Sequence, residues 1–598
     1  MKTDRAGRRI LDVLELSPEL KHIFLSTDSL DSKRIQIMHL LDRISLKTYD
    51  REMDTPRLEW ILARDAINVL KNILTVRNEE AAGYSFLQYI DDLLNRPDSK
   101  DLPEPSPGFL AEVYHLIKGI FLKSGIYSGK TLTFQKHSGR KAAKLRSEDL
   151  SRMMRAADKR MGTYSNGLEK HVIARRRRNK RRILSYFNAD AAQWESWNWQ
   201  MGHAVRNAEA LADLIDLTED EYRAVKSASE FKIPFGITPY YLSLMDRDSK
   251  RVNDYAVRAQ VIPTMHYVRK MKALRENRHL MDFMQEHDTS PIDGITRRYP
   301  GIVILKPVIS CPQICVYCQR NWEIKDVTAP DVAISKDKLQ KAIAWISETP
   351  EIHEVLITGG DPFILSDNRL RDMMKHISEI DHVQRVRIGT RTPVTLPMRI
   401  TDKLAGDIAR YHVPGKREVV IVTHFEHPYE ITPEAMQAVQ KFRLCGIDVY
   451  NQLVYTFFNS RKFEACLLRQ TLRLIGVTPY YTFSTKGKEE TDDFRVPIAR
   501  LLQEQKEEAR LFPGTVRTDE IVFNLPRLGK NYLRAGQHHD IISILPNGRR
   551  VYEFHPWEKK LELAQTYLHE DVPIYNYLQR LREIGENPDD YKSIWYYY

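Results

Sequence analysis

Between residues 301 and 483 six short apolar runs alternate with five stretches of helical periodicity. The strand-like runs are 301–309, 353–358, 384–389, 418–424, 447–455 and 478–483; the helical stretches are 336–347, 368–380, 402–411, 433–445 and 463–474. Strand after helix after strand builds a parallel sheet, because a parallel neighbour is reached only by a crossover. Six such units fall short of the eight of a closed barrel. The expected fold is therefore α/β, a partial (β/α)6 TIM-like barrel with a wide mouth. The expected divisions are a helical amino-terminal extension with a basic linker at 1–185, a helical lead-in at 186–300, the barrel at 301–500 and a small α+β carboxyl-terminal extension at 501–598.

The first run empties into Ser310-Cys-Pro-Gln-Ile-Cys-Val-Tyr-Cys-Gln-Arg320, which sets thiols at Cys311, Cys315 and Cys318. Thiolates ligate iron–sulfur clusters. Three of them leave one iron of a four-iron cluster open to a small molecule. A structural zinc site is the rival reading, but it needs a fourth ligand. The next cysteine is Cys445, and neither His287 nor His353 has a companion at ligand spacing. Buried, unreactive cysteines are a second alternative. Three of the chain's five cysteines crowded into eight residues weigh against it.

The later strands also end in polar residues, as barrel chemistry requires. Thr358-Gly-Gly-Asp-Pro362 follows the second: its glycines allow backbone to approach a ligand, and Asp361 suits an ammonium. Arg387-Ile-Gly-Thr-Arg-Thr-Pro-Val394 follows the third and Thr423-His-Phe-Glu-His-Pro428 the fourth. Asn451 and Gln452 lie on the fifth, and Ser484-Thr-Lys-Gly-Lys488 follows the sixth. Singly, each is more often a turn or a structural residue; together they converge on one rim. Before the first strand, Arg297-Arg-Tyr-Pro300 offers charge for an anion and a ring for stacking, or is a plain surface turn. Beyond the barrel, 522–530 reads as a strand and a Pro/Gly loop bearing Lys530.

Lys plus Arg number 91 against 80 for Asp plus Glu, a formal charge of +11. That permits acidic partners without requiring them. Few cysteines fit a reducing compartment. The amino terminus has no apolar signal segment, and no run is long enough to span a bilayer. A cytoplasmic protein with no membrane partner is expected. Residues 1–185 carry helical periodicity and no catalytic motif. Their basic segment, 140–182, peaks at Arg175-Arg-Arg-Arg-Asn-Lys-Arg-Arg182. It lacks interleaved aromatics, so a solvated linker helix or a subunit contact is favoured over nucleic acid.

Taken in order, several motifs resemble the lysine 2,3-aminomutase family of radical S-adenosylmethionine enzymes that depend on pyridoxal phosphate. They are the Trp-rich stretch at 194–200, Pro239-Tyr-Tyr-x-Ser-Leu-Met-Asp246, Arg298-Tyr-Pro300, the three cysteines, Arg320, Gly359-Gly-Asp361, Arg387-Ile-Gly-x-Arg-Thr-Pro393, Thr423-His-Phe-x-His-Pro428 and Asn451-Gln452. The resemblance implies a radical S-adenosylmethionine barrel in which Cys311, Cys315 and Cys318 hold a [4Fe–4S] cluster. Gly359, Gly360, Asp361, His424 and Gln452 would hold S-adenosyl-L-methionine. Arg298 and Tyr299 would contact pyridoxal 5′-phosphate, Arg320 the substrate carboxylate, and Lys530 would form the Schiff base. The family's polyglycine run before that lysine is here Pro526-Arg-Leu-Gly-Lys530. Arg527 is expected to supply the missing phosphate contacts, with Lys486 and Lys488 as fallback lysines.

Lysine-specific members resemble one another in two aspartates that grip the distal ammonium. The matching positions here are Lys486 and Asn524, the pairing of glutamate 2,3-aminomutases. A cation and an amide suit a distal carboxylate. The implied activity is an isomerase that moves an α-amino group to the β-carbon, L-glutamate to β-glutamate. Lysine 2,3-aminomutase, or a family member with another amino acid, is the alternative. The resemblance also implies a small-molecule amino-acid substrate, an electron donor such as flavodoxin or ferredoxin, and a homo-oligomer. No cysteine follows Cys466, so no carboxyl-terminal zinc site is expected.

Overall fold

Every expected strand forms close to where its apolar run lies. In the computed structural model β1 (Ile295–Tyr299) pairs antiparallel with β2 (Ile302–Val308). Parallel strands follow: β3 (Glu354–Gly359), β4 (Arg385–Gly389), β5 (Glu418–Thr423), β6 (Asp448–Tyr455), β7 (Val477–Ser484) and β8 (Glu520–Leu525), with β9 (Gly529–Tyr532) last in the sheet. The run read as a strand beyond the barrel is thus a seventh parallel strand, β8, registered with Tyr481 opposite Glu520. Residues 9–47, 57–95, 102–127, 133–247, 253–326, 329–485, 487–536, 539–556 and 565–598 are described.

Sheet order is strictly sequential from β1 to β9. Parallel crossovers are right-handed. A sheet that never reverses its order therefore keeps its crossover helices on one face and coils about the other, which makes a partial barrel. The crossovers are α1 (Lys336–Ser347), α2 (Asp367–Ser378), α3 (Asp402–Ala409), α4 (Pro433–Leu444) and α5 (Glu464–Leu474). Four of them start on a hydroxyl cap: Ser335, Ser366, Thr401 and Thr432 accept the N–H groups of Lys338, Arg369, Leu404 and Ala435. Such caps satisfy donors that a helix start leaves unpaired. Strand β5 is buried along Val419–Thr423, the signature of a strand covered on both faces. No described helix is long and apolar enough to cross a membrane.

The chain gathers into two units, and the barrel belongs to one of them, 158–495 with 511–530. In that unit the helix Lys170–Tyr186 buries Val172, Arg176, Asn179 and Ile183 along one face. Arg176 pairs with Glu434 at 2.9 Å, Arg175 with Asp246 at 3.2 Å, and Asn179 donates to the carbonyls of Ser243 and Met245. Part of the basic segment is therefore spent on packing within this unit.

The second unit combines 1–157, 496–510 and 531–598. Its helices include Leu30–Lys47, Arg57–Ile73 and Pro107–Ile120, and its sheet is antiparallel: β10 (His539–Ile544), β11 (Arg550–Phe554) and β12 (Tyr567–Glu570). Gly83 at φ +61° ends the helix Val76–Ala82 before Phe86–Asn95 begins.

Candidate active site

The carboxyl ends of the barrel strands surround one cavity of about 310 Å3. Its wall includes Cys311, Cys315 and Cys318 at one place and Lys530 at another. Each thiol is pushed above the ordinary cysteine range by burial. Two N–H groups already point at sulfur: Arg391 Nη1 donates to Cys315 Sγ at 2.8 Å, and the Arg320 amide to Cys318 Sγ at 3.3 Å. Among the described residues no set of three His, Cys, Asp or Glu side chains is gathered tightly enough for a single metal ion. A cubane cluster does not need that. It places each thiolate on its own iron, so three spread thiols and sulfur-directed donors suit it.

Gly359 and Gly360 line the cavity and also allow a close approach within the protein. A Cβ on Gly360 would lie 2.1 Å from the Ser310 carbonyl oxygen, and Gly359 at φ +121° would meet the Val308 carbonyl at 2.9 Å. The end of β3 thus lies directly against the residue that precedes Cys311, and the Asp361 amide donates to Ser310 O at 2.8 Å. The Asp361 carboxylate is a brace. Oδ1 accepts from Thr390 Oγ1 at 2.7 Å and the Phe363 amide at 3.0 Å, and Oδ2 from the Arg391 amide at 2.8 Å. Arg391 itself is fixed by Glu430 at 2.7 Å, the His424 carbonyl at 3.1 Å and Gln260. His424 and Gln452 line the cavity, with His424 Nδ1 3.7 Å from Glu426. Beside Gln452 the register of β6 and β7 shifts, and such bulges re-aim side chains.

Lys530 sits between two rings. Its Nζ is 5.0 Å from the Tyr299 centroid, 4.9 Å from that of Tyr481 and 3.4 Å from Tyr299 Oη. Burial, with Arg387 and Arg298 nearby, pushes its pKa down to about 8. Gly529 permits this: at φ +99° its Cβ position is 2.3 Å from Tyr299 Oη. Arg298 and Arg387 line the same cavity; their terminal nitrogens pair with Glu286 and Glu354, and each Nε is buried without a hydrogen-bond partner. Two unsatisfied guanidinium donors beside a depressed amine and a tyrosine ring fit an anionic aromatic aldehyde such as pyridoxal phosphate.

Arg320 also lines the cavity, gripped from behind by Glu286 at 2.9 Å and Glu323 at 3.2 Å. Glu286 also pairs with Arg298 at 2.8 Å and Lys306 at 3.2 Å. Burial would raise its pKa, but Arg320, Arg298 and Lys306 outweigh it and hold the carboxyl well below the usual range. Asn524 lines the cavity; Lys486 lies outside the described residues. Of the fallbacks, Lys488 is buried and bound to Glu490 at 2.8 Å and Asn321 at 2.6 Å, which leaves no free amine. Arg527 is exposed and pairs with Asp288 at 2.7 Å, so it does not replace the missing phosphate contacts. Sequence reasoning gave no role to Glu286, Tyr481 or Arg387. Glu286 opens the short 3-10 helix Glu286–Thr289 and carries no spacing signal; Arg387 is marked only by its motif.

Fold and cavity define a class: an open α/β barrel with a three-thiol loop and a depressed lysine on the wall of one cavity. An uncharacterised KamA family protein of Methanocaldococcus jannaschii is 42% identical, covering 99% of this chain and 98% of its own. The glutamate 2,3-aminomutase of Clostridioides difficile is 35% identical across 67% of this chain and 89% of its own length. The L-lysine 2,3-aminomutase of Fusobacterium nucleatum is 33% identical across 52% and 70%. The chain belongs to the lysine 2,3-aminomutase (KamA) family. No family model matches it.

Proposed function

We propose that the protein is a radical S-adenosylmethionine amino-acid 2,3-aminomutase that converts L-glutamate to β-glutamate. The observation that carries this reading is Lys530, an amine lowered to about 8 between two tyrosine rings, on the wall of the cavity that the three cysteines also line. When bound, the cluster with S-adenosylmethionine supplies a carbon radical, and pyridoxal phosphate supplies the aldehyde and conjugated ring that make nitrogen migration feasible.

The chain's own residues bind and orient. Cys311, Cys315 and Cys318 hold the cluster at the barrel mouth. His424 and Gln452 face the space beside it. Lys530 offers an amine that loses its proton near pH 8, more than two units earlier than an ordinary lysine, Tyr299 stacks, and the guanidinium groups of Arg298 and Arg387 would attract the phosphate. Arg320 takes the substrate's α-carboxylate, held in position by Glu286 and Glu323.

Charge favours glutamate. A lysine substrate needs a carboxylate for its distal ammonium. The described carboxylates on the cavity wall are Asp361, whose oxygens both accept from the protein, and Glu426, whose Oε2 accepts from the Val454 amide at 2.7 Å while its Oε1 has no hydrogen-bond partner. Cations are plentiful there, and Asn524 adds an amide. The glutamate-specific relative supports the same choice. Lysine is the second reading, because lysine-specific relatives match nearly as well. Anaerobic assay of reconstituted protein against both amino acids tests the choice: β-lysine without β-glutamate would overturn it.

A further inference from the structure

Gln313, between the first two cysteines, is 3% exposed. Neither its Nε2 nor its Oε1 has a hydrogen-bond partner. Leaving a buried amide unpaired forfeits its hydration with nothing in return, so such an amide points to something it binds. Its surroundings say what. Gln313 lines a small cavity of about 40 Å3 whose wall also includes Cys311, Cys315 and Cys318, with Ile314, Ile324 and Pro234 as its apolar side. The other side-chain amide on that wall, Asn321, is held by Glu490 at 2.9 Å and Lys488 at 2.6 Å, so sulfur carrying cluster charge is the acceptor left for the Gln313 carboxamide.

We propose that Gln313 donates a hydrogen bond to sulfur of the iron–sulfur cluster and, together with Arg391, raises the cluster's reduction potential. The inference rests on the cluster named under the proposed function. Arg391 supplies the precedent within this chain, since its Nη1 already donates to Cys315 Sγ at 2.8 Å while Glu430, Gln260 and the His424 carbonyl hold the rest of the guanidinium. The sign follows from charge. Reduction adds an electron to a negatively charged cluster, so a donor stabilises the reduced form more than the oxidised one. A cavity of this size also admits one water, which would satisfy the Gln313 carbonyl, or, on the rival reading, the whole amide.

The test is EPR-monitored redox titration of the reconstituted full-length protein, with iron and sulfide measured alongside. Gln313→Met removes the amide at similar volume, and Gln313→Asn keeps it but withdraws it by one methylene. Both are expected to retain wild-type iron and sulfide and to show a midpoint more negative than wild type, with Arg391→Lys shifted in the same direction. Cluster-free Gln313→Met is expected to unfold at the same denaturant concentration as wild type or higher, because an unpaired amide has been removed. The two Gln313 variants are redundant, so if one fails to assemble the cluster the other decides. A full cluster with an unchanged midpoint in the Gln313 variants overturns the proposal in favour of a water-solvated amide. Wild-type protein that takes up no iron and sulfide overturns the functional reading, and this proposal with it.

Discussion

Lys530 is the residue on which the chemistry turns, and its depressed pKa has a readable consequence. An ordinary lysine is neutral only above about pH 10.4. Lys530 loses its proton near pH 8. Capture of pyridoxal phosphate, followed by imine absorbance, is expected to rise through about pH 8 and to vanish in Lys530→Met, together with turnover. A midpoint near 10 would mean an exposed amine. Gly529→Ala forces a Cβ into the Tyr299 hydroxyl at 2.3 Å and strains a φ of +99°. It should cost about 1–3 kcal/mol and weaken cofactor binding, both seen by thermal unfolding with and without pyridoxal phosphate. Glu286 faces three cations. Glu286→Gln should destabilise by about 3–5 kcal/mol at pH 7. Because the folded pKa is depressed, that contribution is whole above the unfolded carboxyl value near 4.3 and fades as pH falls below it. Urea unfolding at pH 7 and pH 3 should therefore show a gap between wild type and variant that narrows in acid.

Elements set where these residues sit, and most of them were legible. The alternation of runs located β2 to β7 and all five crossover helices, because buried parallel strands are continuous apolar runs and capped helices begin at Ser or Thr. Beta8 was read as a strand but not as part of the barrel, since residues 485–519 intervene and no local pattern says which sheet a strand joins. The three cysteines were legible because they are neighbours in sequence. Glu286 was not: it reaches Arg320 across 34 residues, and a single carboxylate at the start of a one-turn 3-10 helix carries no periodicity. The paired glycines are legible as a close-approach motif, and the structure adds a contact that no local pattern names. Gly360 touches the Ser310 backbone, so Gly360→Ala should displace the cysteine loop, cost about 1–3 kcal/mol and lower the iron content after reconstitution. Unchanged iron content would show that the loop does not depend on the end of β3.

At the scale of the whole molecule, the barrel unit holds every residue of the cavity. The second unit is built from three separate stretches of chain, 1–157, 496–510 and 531–598. Inside that unit Glu112 and Arg550, 438 residues apart, form a buried pair at 3.0 Å, and Arg550 also donates to the carbonyls of Trp595 and Tyr597. Glu112→Ala leaves a buried guanidinium unpaired and should cost about 3–5 kcal/mol, measured as a shift in the urea midpoint. The most direct measurement is anaerobic incubation of reconstituted protein with S-adenosylmethionine, pyridoxal phosphate, dithionite and L-glutamate, analysed for deoxyadenosine and for the position of the amino group. Deoxyadenosine with β-glutamate is the expected result. Cluster-loaded protein that forms neither deoxyadenosine nor any β-amino acid, from glutamate or from lysine, would contradict it.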